Sequence, residues 1–378
     1  MKIPPPRAVF DPLAARVERE FKHTRALVGC QFDPSGRFLF VSAEDDSIQR
    51  FDLLTGTQTA FVGHESWVRG LAFIAPAPLP PVDFEAWSKQ QRATQAAGGF
   101  GAAMLPAPKA APFTLVSADY RGNLIWWQGD ANTPKPLKTV QAHQGFARAI
   151  VVSPDASIVA SCGNDHLIKL WKADGTAIRT LEGHESHVYN IAFHPDGTRI
   201  VSCDLKGIVK DWNLKTGKCE RDIDAKLLHK YDPGFMADIG GARGMAFKSD
   251  GSTVALCGIT NVSNAFAGVG NPAVVLVDWK EGKAKLLKLK VAFQGTAWGV
   301  GFHPLGGVIS AGGAGQGRVW FFKGDEMDNV HTLNVPANSR DLALSVGGDR
   351  FAVAGANGTA YVYNFSGTAT PTPAPPKK

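Results

Sequence analysis

The sequence predicts an all-β protein of seven repeated four-stranded units closed into a ring, a seven-bladed β-propeller. Three observations predict it. Short runs of Val, Ile, Leu and Phe alternate with D-G, S-G, T-G and N-G turns in a chain with 41 Gly and 24 Pro, a composition of strands and tight turns with little helix. Apolar strands of one kind end at Phe32, Phe73, Val152, Phe193, Phe247, Phe302 and Leu344, at intervals of 41, 79, 41, 54, 55 and 42 residues. The base interval of 41 falls within the roughly 40–45 residues of one propeller blade, and three units carry inserts. Finally, the last unit stops at its third strand, "TAYVYNF", while "ARVEREF" at 15–21 reads as a spare fourth strand.

In chain order, residues 1–14 form an extension. The strand at 15–21 is expected to complete the seventh blade, which removes the open sheet edges that invite aggregation. Each unit opens with its apolar strand and a polar turn such as "DPSG", "HPDG" or "KSDG". A second strand ends near Ser, and a third ends in an aromatic: Phe51, Trp127, Trp171, Trp212, Trp279, Phe321 and Tyr363. A fourth leads to Gly63-His64, Ala142-His143 or Gly183-His184. Unit two carries an insert at 75–112, with a helix predicted over 82–97 and Phe84 and Trp87 sharing one face. Further inserts occupy 224–241 and 259–272, and the Pro-rich tail 367–378 predicts disorder.

Bulk numbers exclude several function classes. The net charge of +6 comes from 40 Lys+Arg against 34 Asp+Glu spread along the chain, unlike a nucleic-acid-binding tail. Five cysteines without a CxxC pair suit a reducing compartment. The N-terminus has no apolar signal core, and no run approaches the roughly 20 apolar residues of a membrane helix; a cytoplasmic, membrane-free setting is expected. The ten histidines lack metal-ligand spacing. "GGAGQG" at 312–317 lacks the Lys-Ser/Thr and helix of a phosphate loop, so no cofactor is expected.

These units resemble the WD-repeat β-propeller family over about residues 15–366, most clearly in "AHQGFARAIVVSPDASIVASCGNDHLIKLW". The resemblance puts His143, Ser161, Asp165 and Trp171 on the family's hydrogen-bonded structural tetrad, so the first three are not read as a hydrolase triad. Arg121 and Lys206 stand where spacing expects the tetrad Asp, each two residues after Asp119 or Asp204, and units five to seven lack the histidine; weaker tetrads are expected there. Cys162, Cys203 and Cys257 end equivalent second strands as buried packing residues. The resemblance also implies that insert 75–112 lies on the bottom face and that 224–241 and 259–272 are neighbours on the top face.

The most unusual repeated position lies in the first strand. It reads Val28, Arg69, Arg148, Tyr189, Arg243, Trp298 and Arg340 around the seven units, with Trp67, Phe146 and His187 just before it in units two to four. In the resembled fold this position lines the top mouth of the central channel. Arginine among aromatics suits interface hot spots and cation–π contact, and guanidinium favours anions. The expected function is a non-enzymatic, monomeric interaction scaffold holding an acidic segment of a partner protein. The alternatives are a mouth that binds or turns over a small anionic ligand, and arginines that merely staple blades through Asp119, Asp204, Asp238 or Asp341. Nucleic acid is not expected, because four arginines at one mouth make no groove along a backbone.

Overall fold

Seven four-stranded antiparallel sheets dominate the computed structural model, which describes residues 10–75, 82–98, 107–264, 269–324 and 326–365. Six sheets run in chain order from their first strand to their fourth. The seventh is ordered Arg16–Lys22, Thr359–Asn364, Arg350–Gly355, Ser339–Leu344, so the N-terminal strand closes the ring as the repeat count requires. Its register sets Glu20 opposite Tyr361 and Phe21 opposite Ala360. A buried side-chain clamp adds to this seam: Arg350 donates from Nε and Nη2 to the two Glu18 oxygens at 2.7 and 3.2 Å.

Burial explains the sequence pattern strand by strand. Inner strands such as Phe38–Ala43 and Thr359–Asn364 are buried at every residue, whereas the fourth strand Ala177–Leu181 is exposed except at its end. Continuous apolar runs therefore mark strands packed on both faces between neighbouring blades. One such seam joins Val116 and Trp126 of the second blade to Ile150, Val159 and Trp171 of the third. Each fully buried side chain of this size contributes about 1.5–3 kcal/mol. At the ring centre the first strands converge, which demands small residues: a Cβ on Gly299 would sit 2.4 Å from the Leu342 nitrogen, and one on Gly70 2.8 Å from Ile150 Cγ2.

Within insert 75–112 the helix is Phe84–Gly98. Phe84 packs on the core shared by the seventh and first blades, with the Arg350 guanidinium 4.1 Å from its ring centroid. The insert thus leaves blade two and reaches the ring-closing seam. The 259–272 insert is an elongated hairpin rather than a loop, because strands Thr253–Asn264 and Val269–Asp278 continue their pairing through Thr260–Asn271. Beside it, 224–241 forms a second hairpin, His229–Asp232 with Ala237–Gly240, and Lys230 Nζ donates to the Val262 carbonyl at 2.5 Å.

Two third-strand aromatics need correction. In blade six Phe322, opposite Val308, holds the place predicted for Phe321, and in blade five Trp279 is displaced. Register places Val277 opposite Val254, as Trp171 is opposite Val159, so Trp279 lies two residues past the equivalent site. Leu256 occupies the place of Ser161 there, and an indole N–H would find no hydroxyl. Trp279 instead caps the seam to blade four, under the Arg221 guanidinium at 4.3 Å. The expectation of disorder for 367–378 lies outside the described residues, as do residues 1–9 of the N-terminal extension; Phe10 is buried against His303, with ring centroids 4.6 Å apart.

Candidate functional site at the channel mouth

The position occupied by the arginines is a β-bulge. In six blades the pairing of the first strand slips past one residue, and the residues passed over are Val28, Arg69, Arg148, Tyr189, Trp298 and Arg340. In the fifth, Arg243 stands just before its strand, its N–H bonded to the Cys257 carbonyl at 2.7 Å. A bulged residue has no cross-strand partner, so its side chain is re-aimed away from the crowded pleat. Small residues at the next position, Gly29, Gly70, Ala149, Gly244 and Gly299, keep the centre open; Asn190 and Asp341 are the two polar side chains there.

The four arginines do not form one ring of free charges. On one arc, Arg340 pairs with Glu44, and the Arg69 guanidinium lies 3.3 Å from Asp341 and donates to the Val28 carbonyl at 3.2 Å. Asp341 also accepts the Cys30 N–H at 3.0 Å. Burial lifts the Asp341 carboxyl above the usual carboxylate range, against the pull of Arg69. The other three candidate acids serve histidines instead: Asp119 with His64, Asp204 with His184 and Asp238 with His229, at 2.7, 3.0 and 2.7 Å.

On the opposite arc, two guanidiniums are held by aromatics and have no ion-pair partner among the described residues. Arg148 and Arg243 lie 4.4 and 4.8 Å from the centroid of the same Tyr189 ring. Phe146, 4.9 Å from Arg148, and Trp298, 5.2 Å from Arg243, extend this series outward. Phe146 in turn stacks on Tyr120, at 4.2 Å with 5° between planes. Arg148 Nε donates to Asn164 Oδ1 at 2.7 Å, whereas Arg243 Nε is buried without a partner. Burial lowers the Arg243 pKa, and the Arg148 charge adds to this. Two like charges against one ring repel, which a bound anion relieves.

Between the first strands lies a cavity of about 380 Å³ whose lining includes Arg69, Arg148, Arg243, Asn190 and Asp341 together with apolar side chains such as Ile150 and Met245. Arg340, Tyr189 and Trp298 stand outside that lining. Trp67 is 41% exposed, while His187 is tied to the Asn164 carbonyl at 2.7 Å. Tyr120, Asn164 and Glu44 escaped the sequence reading. Each follows the last residue of a second strand, and each N–H bonds a carbonyl just ahead of the bulge: Trp67, Phe146 and Ala26. That fixed offset is the signal that marks them as rim residues.

The polar groups inside the blades are structural. In blade three His143 Nδ1 meets Asp165 at 2.9 Å, its Nε2 meets Ser161 Oγ at 2.8 Å, and Trp171 Nε1 donates to that Oγ at 3.0 Å. Blades two and four are equally complete, through His64, Ser117, Asp119 and Trp127 and through His184, Ser202, Asp204 and Trp212. The expected weakening at Arg121 and Lys206 is therefore absent. Ser and Asp two apart on one strand share a face, so Asp119 and Asp204 reach the histidine from the strand end. Cys162, Cys203 and Cys257 are buried, and burial raises each thiol pKa, which disfavours the thiolate.

The WD domain, G-beta repeat family matches residues 134–172 and 175–212. Among curated proteins, the chain is 56% identical over 36 residues to DDB1- and CUL4-associated factor 13 of Dictyostelium discoideum, covering 10% of this chain and 8% of that protein. It is 31% identical over 168 residues to nuclear distribution protein PAC1 of Arthroderma benhamiae and of Trichophyton verrucosum, covering 43% of this chain and 30% of each. The aligned part is thus less than a third of each relative's length. With seven four-stranded blades, complete His-Ser-Asp-Trp networks in three of them and the repeat match in blade-forming segments, the chain belongs to the WD-repeat β-propeller family.

Proposed function

We propose that the chain is a non-enzymatic interaction scaffold that binds an acidic segment of a partner protein at the channel mouth. The observation that carries this reading is the Arg148–Tyr189–Arg243 stack, two fixed guanidiniums with no ion-pair partner among the described residues. Trp298, Trp67 and Phe146 supply aromatic surface around it. The 224–241 hairpin, whose base at Gly241 abuts the Tyr189 ring, adds exposed Tyr231, Phe235 and Met236. Arginine and aromatics clustered in this way are the residues that dominate binding energy at interfaces. Arg69 and Arg340 serve in this reading as blade staples.

WD repeats generally build protein-binding surfaces, and one relative is named for its association with DDB1 and CUL4. Free cysteines support a cytoplasmic setting for a single propeller, and among the described residues no helix is long and apolar enough to cross a membrane. The test is affinity capture from source lysate with wild type and with the Arg148→Ala/Arg243→Ala variant, after circular dichroism confirms that both are folded. A protein retained by wild type and lost by the variant is expected. Equal retention by both moves the site away from the mouth.

A further inference from the structure

We propose that the mouth is built for a phosphate group, held between Arg148 and Arg243. The inference rests on the mouth being the binding site and names the chemistry it takes. Charge is the first argument. The cavity lining holds Arg69, Arg148 and Arg243 against Asp341 alone, and Asp341 is already paired with Arg69. Two positive charges therefore remain, both on the aromatic arc. A carboxylate would answer one of them, whereas a phosphate monoester carries about −1.5 to −2 at pH 7.

Donor geometry is the second argument. Arg243 Nε is buried with no acceptor among the described residues, and buried donors in native proteins are almost always paired. Arg148 is fixed at its Nε by Asn164, and its Nη groups make no hydrogen bond among the described residues. Both guanidiniums rest on the Tyr189 ring, with Phe146 against Arg148 and Trp298 against Arg243. Both forks are thus oriented before a ligand arrives, and planar guanidinium matches phosphate oxygens in pairs. The cavity of about 380 Å³ has room for the phosphate and part of what carries it. The carrier is either the phosphorylated side chain of a partner entering from above or a small phosphorylated molecule seated in the channel.

Calorimetric titration of the full chain with inorganic phosphate, with acetate and with the peptide Ala-Ala-phosphoserine-Ala-Ala tests this. Phosphate is expected to bind at least tenfold more tightly than acetate. The Arg148→Gln/Arg243→Gln variant should lose at least tenfold in phosphate affinity. The Arg179→Gln/Lys283→Gln variant, which removes two charges on exposed fourth strands, should lose none; circular dichroism verifies folding of each. Tighter binding of the peptide than of free phosphate identifies a phosphorylated partner, and weaker binding identifies a small molecule. Equal affinity for phosphate and acetate overturns the proposal, as does undiminished phosphate binding by the double Gln variant. The broader reading fails separately: a partner still captured without Arg148 and Arg243 sinks the acidic-segment role, while phosphate selectivity in titration would survive it.

Discussion

At the residue scale, one repeated position carries two kinds of arginine, and they should respond to substitution with opposite signs. Arg69 neutralises the buried Asp341 at 3.3 Å. Arg69→Ala leaves that carboxylate uncompensated and should cost about 3 kcal/mol, read from urea unfolding. Arg243 is a buried charge with no acid, so Arg243→Met should leave the unfolding midpoint unchanged or higher while abolishing partner capture. Such a trade of stability for binding is common at functional sites. The tetrad carboxylates set the response to acid. Burial opposes ionisation of Asp119 and Asp165, but hydrogen bonds led by His64 and His143 outweigh it and hold both pKa values below the ordinary 3.8. The unfolded chain then binds these protons more tightly, so the stabilisation is complete above about pH 4 and is lost as pH falls through the folded-state values. Urea midpoints between pH 7 and pH 3 should fall less for Asp119→Asn than for wild type.

Elements owe their positions to close approach at the ring centre. Gly299→Ala would drive a Cβ to 2.4 Å from the Leu342 backbone nitrogen, and a backbone neighbour cannot yield as a flexible side chain would. A loss of about 2 kcal/mol or more is expected by thermal unfolding. The bulges at the head of the first strands do the opposite work, turning large side chains out of that crowded centre. Sequence shows that arginine recurs at one place in the repeat. It does not show the bulge, because a bulge is a property of pairing with the second strand. For the same reason Trp279 was legible as an aromatic near a strand end, but its register two residues beyond the tetrad site was not.

Across the whole molecule, closure of the ring links residues more than 300 positions apart. The Glu18–Arg350 clamp joins the N-terminal strand to the last blade, and removing one member of a buried pair typically costs 3–5 kcal/mol. Glu18→Ala should therefore lower the unfolding midpoint, with a loss of about 3 kcal/mol. A truncation starting at Lys22 should open the last blade, expose its edge strand and aggregate in light scattering, because an unpaired edge templates association. Helix Phe84–Gly98 bears on the same seam, since Phe84 packs against Arg350; Phe84→Ala should weaken closure without touching the mouth.

The sequence by itself determined the fold: a period of about 41 residues, apolar runs long enough for strands buried on both faces and a spare strand at the N-terminus permit one closed arrangement. Local pattern suffices for that because each blade repeats the same physics. It also marked Arg69, Arg148, Arg243 and Arg340 as one repeated position of the first strand. Tertiary structure alone decided what those arginines are. Whether a guanidinium meets an acid depends on residues distant in the chain, Asp341 for Arg69 and Glu44 for Arg340. Arg148 and Arg243 meet Tyr189 instead, and no periodicity encodes that difference, because it arises between blades rather than within one.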